Sequence, residues 1–185
     1  MIKKVQLPLT EETVAGLNIG DQVLLSGSVL TGRDAAHKRL VALIERGEEL
    51  PIDLAGQTIY YVGPAPARPG HAVGPAGPTS SYRMDRYTPP LLERGLKGMI
   101  GKGYLGPRTL ELMPKFRAVY FGAIGGSAVL IAKAIKSAKV VAYPDLGPEA
   151  IHRFEIVDLP AVVCVDASGR NLYEEGPKLY KSLTL

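Results

Sequence analysis

The sequence predicts an α/β fold built on a mostly parallel sheet covered by helices. The spacing of hydrophobic residues switches between a period of two and one near 3.6. In the second half of the chain, strand-like and helix-like segments alternate, the order that parallel strands with helical crossovers require. With 185 residues, 46% of them hydrophobic, the chain can bury a substantial core. A single domain over residues 1–185 is the expected organisation.

Lys3 to Leu9 alternates as a strand, and Thr10-Glu11-Glu12-Thr13 reads as a helix start, with Thr10 as cap and Thr13 in the place of a capping-box acid. Asp21 introduces Gln22 to Leu30, rich in β-formers. From Asp34, placed to cap, residues Ala36, Leu40, Leu43 and Ile44 mark one face of a helix that runs out near Gly47. Gln57 to Val62 is the next strand. Gly63 to Pro78, dominated by Gly, Pro and Ala, is too long for a simple turn and too poor in polar residues for a tail. Loops of this kind inside a compact domain are usually functional or mobile. Then come a strand at Gly98 to Ile100, a helix opened by Pro107, a strand at Ala118 to Phe121, a helix from about Gly125 to Ile135 and a strand at Lys139 to Ala142. Phe154 to Val157 and Ala161 to Val165 are closing strands, separated from a short terminal helix, led by Gly176-Pro177-Lys178, by a turn at Ala167 to Arg170.

Lys and Arg number 22 against 18 Asp and Glu, a net charge of +4, and the only adjacent basic pairs are Lys3-Lys4 and Lys38-Arg39. That is too diffuse for a nucleic-acid footprint and suits an anionic small molecule or an acidic partner. No apolar stretch reaches the ~20 residues that span a bilayer, and Met1 opens on a charged segment without a signal-peptide core, so a cytoplasmic protein is expected. Asn and Gln occur five times together and Pro fifteen times, a composition that leans towards a thermophilic source. The single cysteine, Cys164, lies in the apolar run Ala161 to Val165 and reads as a small core hydrophobe. One thiol cannot hold an iron-sulfur cluster, which wants three or four thiolates.

Three segments hold the residues a carboxylate-handling site needs. In Thr31-Gly32-Arg33-Asp34-Ala35-Ala36-His37, where a strand ends and a helix begins, a guanidinium can fork onto a carboxylate beside the partial positive charge of the helix start. Arg33 as a surface residue, Asp34 as a cap and His37 as a helix-face residue is the plainer reading of the same segment. In Gly77-Pro78-Thr79-Ser80-Ser81-Tyr82-Arg83-Met84-Asp85, hydroxyls and backbone amides can converge on one oxyanion, or simply cap a helix. In Lys97-Gly98-Met99-Ile100-Gly101-Lys102-Gly103, the glycines allow close approach of a ligand and leave Lys102 unobstructed. Gly122 to Ser127 fits no phosphate-loop pattern and reads as a strand-to-helix turn.

In this order and spacing, the three segments resemble the β-type domain of class I fumarate hydratases, a family that also includes the β subunit of L-tartrate dehydratase. Similarity extends from about Pro8 to Lys181. The resemblance implies a three-layer swivelling β/β/α domain with a mostly parallel central sheet, packing on an α-type chain that carries a [4Fe-4S] cluster with one open iron position. Both parts are fused in some members, and a chain of this length would be a separate subunit of a hetero-oligomer, with self-association compatible. Carried over by motif, Arg33, Arg83 and Lys102 would bind substrate carboxylates and Thr79 would lie beside the carbon that loses or gains a proton, with Asp34, His37 and Asp85 in support. Tyr82 departs from the family pattern, where a smaller residue, often glycine, is usual. The function so implied is reversible hydration of fumarate to L-malate, with L-tartrate dehydration the nearest alternative and a non-catalytic anion-binding or assembly module the alternative of a different class. No metal ligand is expected in this chain, no nucleic-acid partner and no membrane.

Overall fold

Among the described residues, seven strands form one sheet, and part of it closes on itself. β1 (Lys3–Leu7), β2 (Gln22–Thr31), β3 (Thr58–Tyr60), β4 (Gly98–Gly101) and β5 (Val119–Gly122) lie parallel to one another in that spatial order. β6 (Ile135–Ala142) and β7 (Ile151–Val165) extend the order as β5-β7-β6, and β7 also returns to pair with β2. The ring β2-β3-β4-β5-β7 is therefore a closed five-stranded barrel, flanked by β1 and β6. The computed structural model describes residues 2–180; Met1 and residues 181–185, the two ends of the expected domain, lie outside the described residues.

The parallel run from β1 to β5 follows from the strand–helix alternation in the sequence. The expectation of a mostly parallel sheet in three layers is corrected at β7, which pairs antiparallel with β2, β5 and β6, so that the sheet is mixed and closed. Length is the physical reason: at 15 residues β7 lays one edge along β2 while its other edge takes β6 at one end and β5 at the other. Closure leaves no bare hydrogen-bonding edges in the ring. The sequence divides this strand in two around Asp158 and Pro160. In the structure Asp158 has φ +53° and faces a bulge in β2 between Leu25 and Gly27, where Gly27 has φ +112°. Asp158 N donates to Ser26 Oγ at 2.9 Å, so the bulged strand supplies the bend with its partner. Bulges bend a strand and raise its twist, as a narrow barrel requires.

Alternating strand residues sort into two apolar clusters. Leu25, Val29, Tyr60, Ile100, Phe121 and Phe154, drawn from all five barrel strands, belong to one buried cluster. Their neighbours Leu30, Ile59, Tyr61, Met99 and Tyr120 belong to the other, together with residues of the outer helices. Both faces are covered, and these strands accordingly read as continuous apolar runs instead of alternating ones.

α1 (Glu11–Ala15) is capped as the sequence indicates, with Thr13 N donating to Thr10 Oγ1 at 3.1 Å. α2 (Asp34–Glu45), α3 (Thr88–Glu93) and α4 (Pro107–Phe116) give Leu40, Leu91, Leu92 and Met113 to the outer cluster. Asp34 is the first residue of α2 and not its cap; Arg33 holds that position and makes no side-chain cap bond. α3 is absent from the sequence reading because Pro89 and Pro90 mask it, although proline suits the first helical positions. α5 (Ala128–Ala134) lies within the expected span, β6 starts at Ile135 instead of Lys139, and α6 (Leu172–Tyr180) starts before Gly176. Two 3₁₀ turns, Ser81–Met84 and Pro144–Glu149, were not legible in the sequence. Among the described residues, no helix is long and apolar enough to cross a membrane. Cys164 is buried in the outer cluster, as its apolar run indicates.

Candidate functional site

The carboxyl ends of β2, β3, β4 and β5 lie side by side, with Thr31, Tyr60, Ile100 and Phe121 in lateral register. Parallel strands direct their outgoing loops to one rim, the place where such sheets bind ligands. Arg33 leaves the end of β2, Gly63 that of β3, Lys102 that of β4 and Ile124 that of β5. The chain from Gly63 to Pro78 swings away and returns to the same rim. Thr79 N donates to Tyr61 O at 2.7 Å, Lys102 N to Thr79 O at 3.2 Å and Ser81 N to Lys102 O at 2.9 Å, so residues 79–81 fill the notch between the ends of β3 and β4. Thr79 and Lys102, far apart in sequence, thereby become backbone neighbours.

Close approach here depends on glycine. A Cβ at Gly101 would overlap Ser81 Oγ and stand 2.9 Å from Tyr61 Cδ2. Beneath the notch, Ser81 Oγ and Tyr120 Oη lie 2.8 Å apart, and Tyr120 Oη donates to Gly103 O at 2.8 Å. One buried phenol thus ties both walls of the Lys102 turn.

Arg83, on the 3₁₀ turn Ser81–Met84, forks onto Asp34: Nε donates to Oδ1 at 3.1 Å and Nη2 to Oδ2 at 2.8 Å. Arg33 Nη2 lies 3.6 Å from Glu149 Oε1, and its Nε lies 4.0 Å from Asp34 Oδ2. Arg33 Nε is buried and makes no hydrogen bond. Lys102 is exposed, and its ammonium has no ion-pair partner among the described residues. The structure therefore brings Arg33, Asp34 and Arg83 into one charged group and Thr79 and Lys102 into a second on the same rim. The Thr79 hydroxyl makes no hydrogen bond with another described residue.

His37 is fully buried beneath the Gly32–Arg33 turn. Its Nδ1 donates to Arg33 O at 2.8 Å, a tautomer assigned from the acceptor, and its ring meets Tyr61 edge-on at 5.4 Å. Burial pushes its pKa down to about 4, against smaller opposing effects of the Arg33 carbonyl, Asp34 and Glu149. A neutral imidazole that shapes the turn is thus His37's place, and it is no proton carrier near neutral pH. Asp85 caps α4 from outside that helix, accepting from Thr109 N at 2.9 Å, while its neighbours Tyr82, Arg83, Arg86 and Arg108 line an open cleft with Asp34. The sequence offers Ser81 only as one of the hydroxyls of its segment, and singles out neither Glu149 nor Tyr120. The one signal for Glu149 was indirect: an arginine at a helix cap has no acceptor to offer, so some remote group must provide it.

Among the described residues, no three His, Cys, Asp or Glu side chains could hold a metal ion. The one thiol, Cys164, is buried with its Sγ 3.9 Å from Tyr173 Oη, and burial raises its pKa. This donor set does not fit an iron-sulfur cluster.

The closed, mixed α/β barrel thus brings Arg33, Arg83, Lys102 and Thr79 to the rim where its parallel strands end. Residues 1–176 match the family described as fumarase C-terminus, and the chain belongs to that family. It is 38% identical over 159 residues to the anaerobic class I fumarate hydratase of Escherichia coli (strain K12), which covers 85% of this chain and 29% of that one. To fumarate hydratase 2 of Leishmania major it is 35% identical, over 85% of this chain and 28% of that protein. Against the L(+)-tartrate dehydratase subunit beta of Escherichia coli (strain K12) it is 34% identical, over 97% of this chain and 90% of the relative. The chain thus spans about a third or less of the fumarate hydratases it matches and nearly all of the β subunit.

Proposed function

We propose that the chain is the cation-bearing β-type domain of a hydro-lyase for small dicarboxylic acids, with fumarate hydration to L-malate as its reaction. The observation that carries this reading is the grouping of Arg33, Arg83, Lys102 and Thr79 on the rim of a fumarase C-terminus domain. Hydration of a carbon–carbon double bond next to a carboxylate passes through a state in which that carboxylate gains charge, and fixed cations stabilise it. Arg33 and Arg83 supply forked donors for carboxylates and Lys102 a point charge. Thr79 stands at the carbon that exchanges its proton. An ordinary hydroxyl is far too weak an acid to ionise near neutral pH, so a base role for Thr79 requires neighbouring positive charge, and Lys102, whose backbone N–H donates to Thr79 O, is a candidate source of it.

The remaining machinery belongs to a partner. The [4Fe-4S] cluster of the reading is held by an α-type subunit, because this chain has no set of thiolates for it, and the domain works in a hetero-oligomer. The rim fits such a partner: Tyr82, Tyr104 and Ile124 are 66%, 65% and 68% exposed beside the site residues. Isolated exposed apolar residues are ordinary, whereas a group around a charged site marks a surface that another polypeptide covers. The whole of residues 1–185 acts as one domain in this reading, and the complex works in the cytoplasm.

L-Tartrate dehydration is the second reading, favoured by the end-to-end match with a tartrate dehydratase β subunit. The deciding experiment is anaerobic turnover of fumarate and of L-tartrate by the complex of this chain with its α-type partner. Turnover of L-tartrate alone would remove the first reading. Turnover of neither, with no cluster-bearing protein co-purifying, would leave a non-catalytic anion-binding module.

A further inference from the structure

Glu149 ends the 3₁₀ turn Pro144–Glu149, remote in sequence from the strand ends, yet its carboxylate is divided between two of their residues. Oε2 accepts from Ala35 N at 3.0 Å, and Oε1 lies 3.6 Å from Arg33 Nη2. α2 begins with no acceptor of its own, since the residue at the cap position is an arginine, which only donates. Glu149 provides what a serine or aspartate would normally provide there. A helix start also carries partial positive charge, so a guanidinium beside it is disfavoured unless anions stand with them; Asp34, 4.0 Å from Arg33 Nε and forked by Arg83, is one, and Glu149 is the other. The guanidinium has few other restraints. Nε is buried without a hydrogen bond, and the approach of Gly63 is close enough that a Cβ there would stand 3.1 Å from Arg33 Cδ and Nη1. The turn that carries Glu149 is itself tied to α2 by a fork from Arg39 to Asp145.

We propose that Glu149 is the positioning residue for Arg33, holding the guanidinium against the start of α2 so that its remaining donors meet a substrate carboxylate in one fixed orientation. The proposal rests on the reading of Arg33 as a carboxylate anchor. Glu149→Gln separates its two contacts, because the amide oxygen still accepts from Ala35 N while the charge facing Arg33 is lost.

In the assembled enzyme, Glu149→Gln should raise KM for the dicarboxylate about tenfold with kcat changed far less, and thermal unfolding should stay near that of the unaltered protein. Arg33→Lys keeps the charge but not the fork. In that background Glu149→Gln should add little, since the two changes break one arrangement. An unchanged KM in Glu149→Gln, or losses that simply multiply in the double variant, would overturn the proposal. A readout that needs no turnover separates this from the choice of reaction: the side-chain NMR resonances of Arg33 should move in Glu149→Gln without ligand. Unmoved resonances refute the positioning role whatever acid the enzyme takes, whereas moved resonances in a complex inactive on both acids would fault the functional reading and sustain the Arg33–Glu149 coupling.

Discussion

Thr79 and Arg83 sit on the same short return of the chain and answer different questions. If Thr79 takes part in proton transfer, Thr79→Ala should lower kcat by roughly 10²-fold or more with KM little changed; a mild fall would reduce it to a positioning role. Arg83→Ala removes a forked cation and leaves Asp34 with only the more distant Arg33, so kcat/KM should fall while co-purification with the proposed α-type partner persists; near-normal kinetics would take Arg83 out of the proposed site. His37 makes a prediction about stability. Its folded pKa is about 4 against an ordinary 6.5, so between those values the unfolded chain binds a proton that the folded chain refuses. Stability is therefore greatest above pH 6.5 and drains away as the pH falls towards 4. Between pH 7.5 and 5 this group alone should remove about 2 kcal/mol. Urea unfolding of the His37→Gln variant should show a correspondingly shallower pH dependence; parallel curves would mean that His37 is not buried neutral.

The order of the elements was legible in the sequence where period and punctuation agreed: the Thr10 cap, the amphipathic face of α2 and the parallel strand–helix run all came through. What stayed hidden depended on contacts distant in sequence. Asp158 and Pro160 interrupt an apolar run and argue for two strands, and only the bulge at Gly27 lets one bent strand pass there. Asp34 has the composition of a cap, but Arg83 claims it, and the helix is served by Glu149. The candidate site was read as three segments, and what joins them, the notch filled by residues 79–81, is backbone pairing that no local pattern announces. The notch yields its own prediction. Gly101→Ala should lower stability by about 1–3 kcal/mol, because Ser81 and Tyr61 must give way, and its kinetic defect should exceed that of an alanine placed at Gly125, where a Cβ would meet only Lys102 Cδ at 3.6 Å. Thermal unfolding and turnover of both variants would settle the comparison, and equal effects would mean that the walls of the notch can shift.

At the scale of the whole molecule, barrel closure makes β2 and β7 the common members of most strand pairings. Their amides should exchange with solvent only through global opening and share one free energy, whereas the segment from Gly63 to Pro78, with few backbone bonds of its own, should exchange far faster by local motion. Exchange in β7 as fast as in that segment would show that the ring opens between β7 and β2. The ring also fixes a length. Arg33 follows the end of β2 and Lys102 the end of β4, with β3 between them, so the two cations stand two strand spacings apart along the rim, about 10 Å at the backbone. That interval is built into the sheet and cannot drift with loop sequence. On the proposed function, such a barrel would act as a fixed gauge for its ligand: an acid longer or shorter by several carbons would call for different side chains at positions 33 and 102, while the strands beneath could stay as they are.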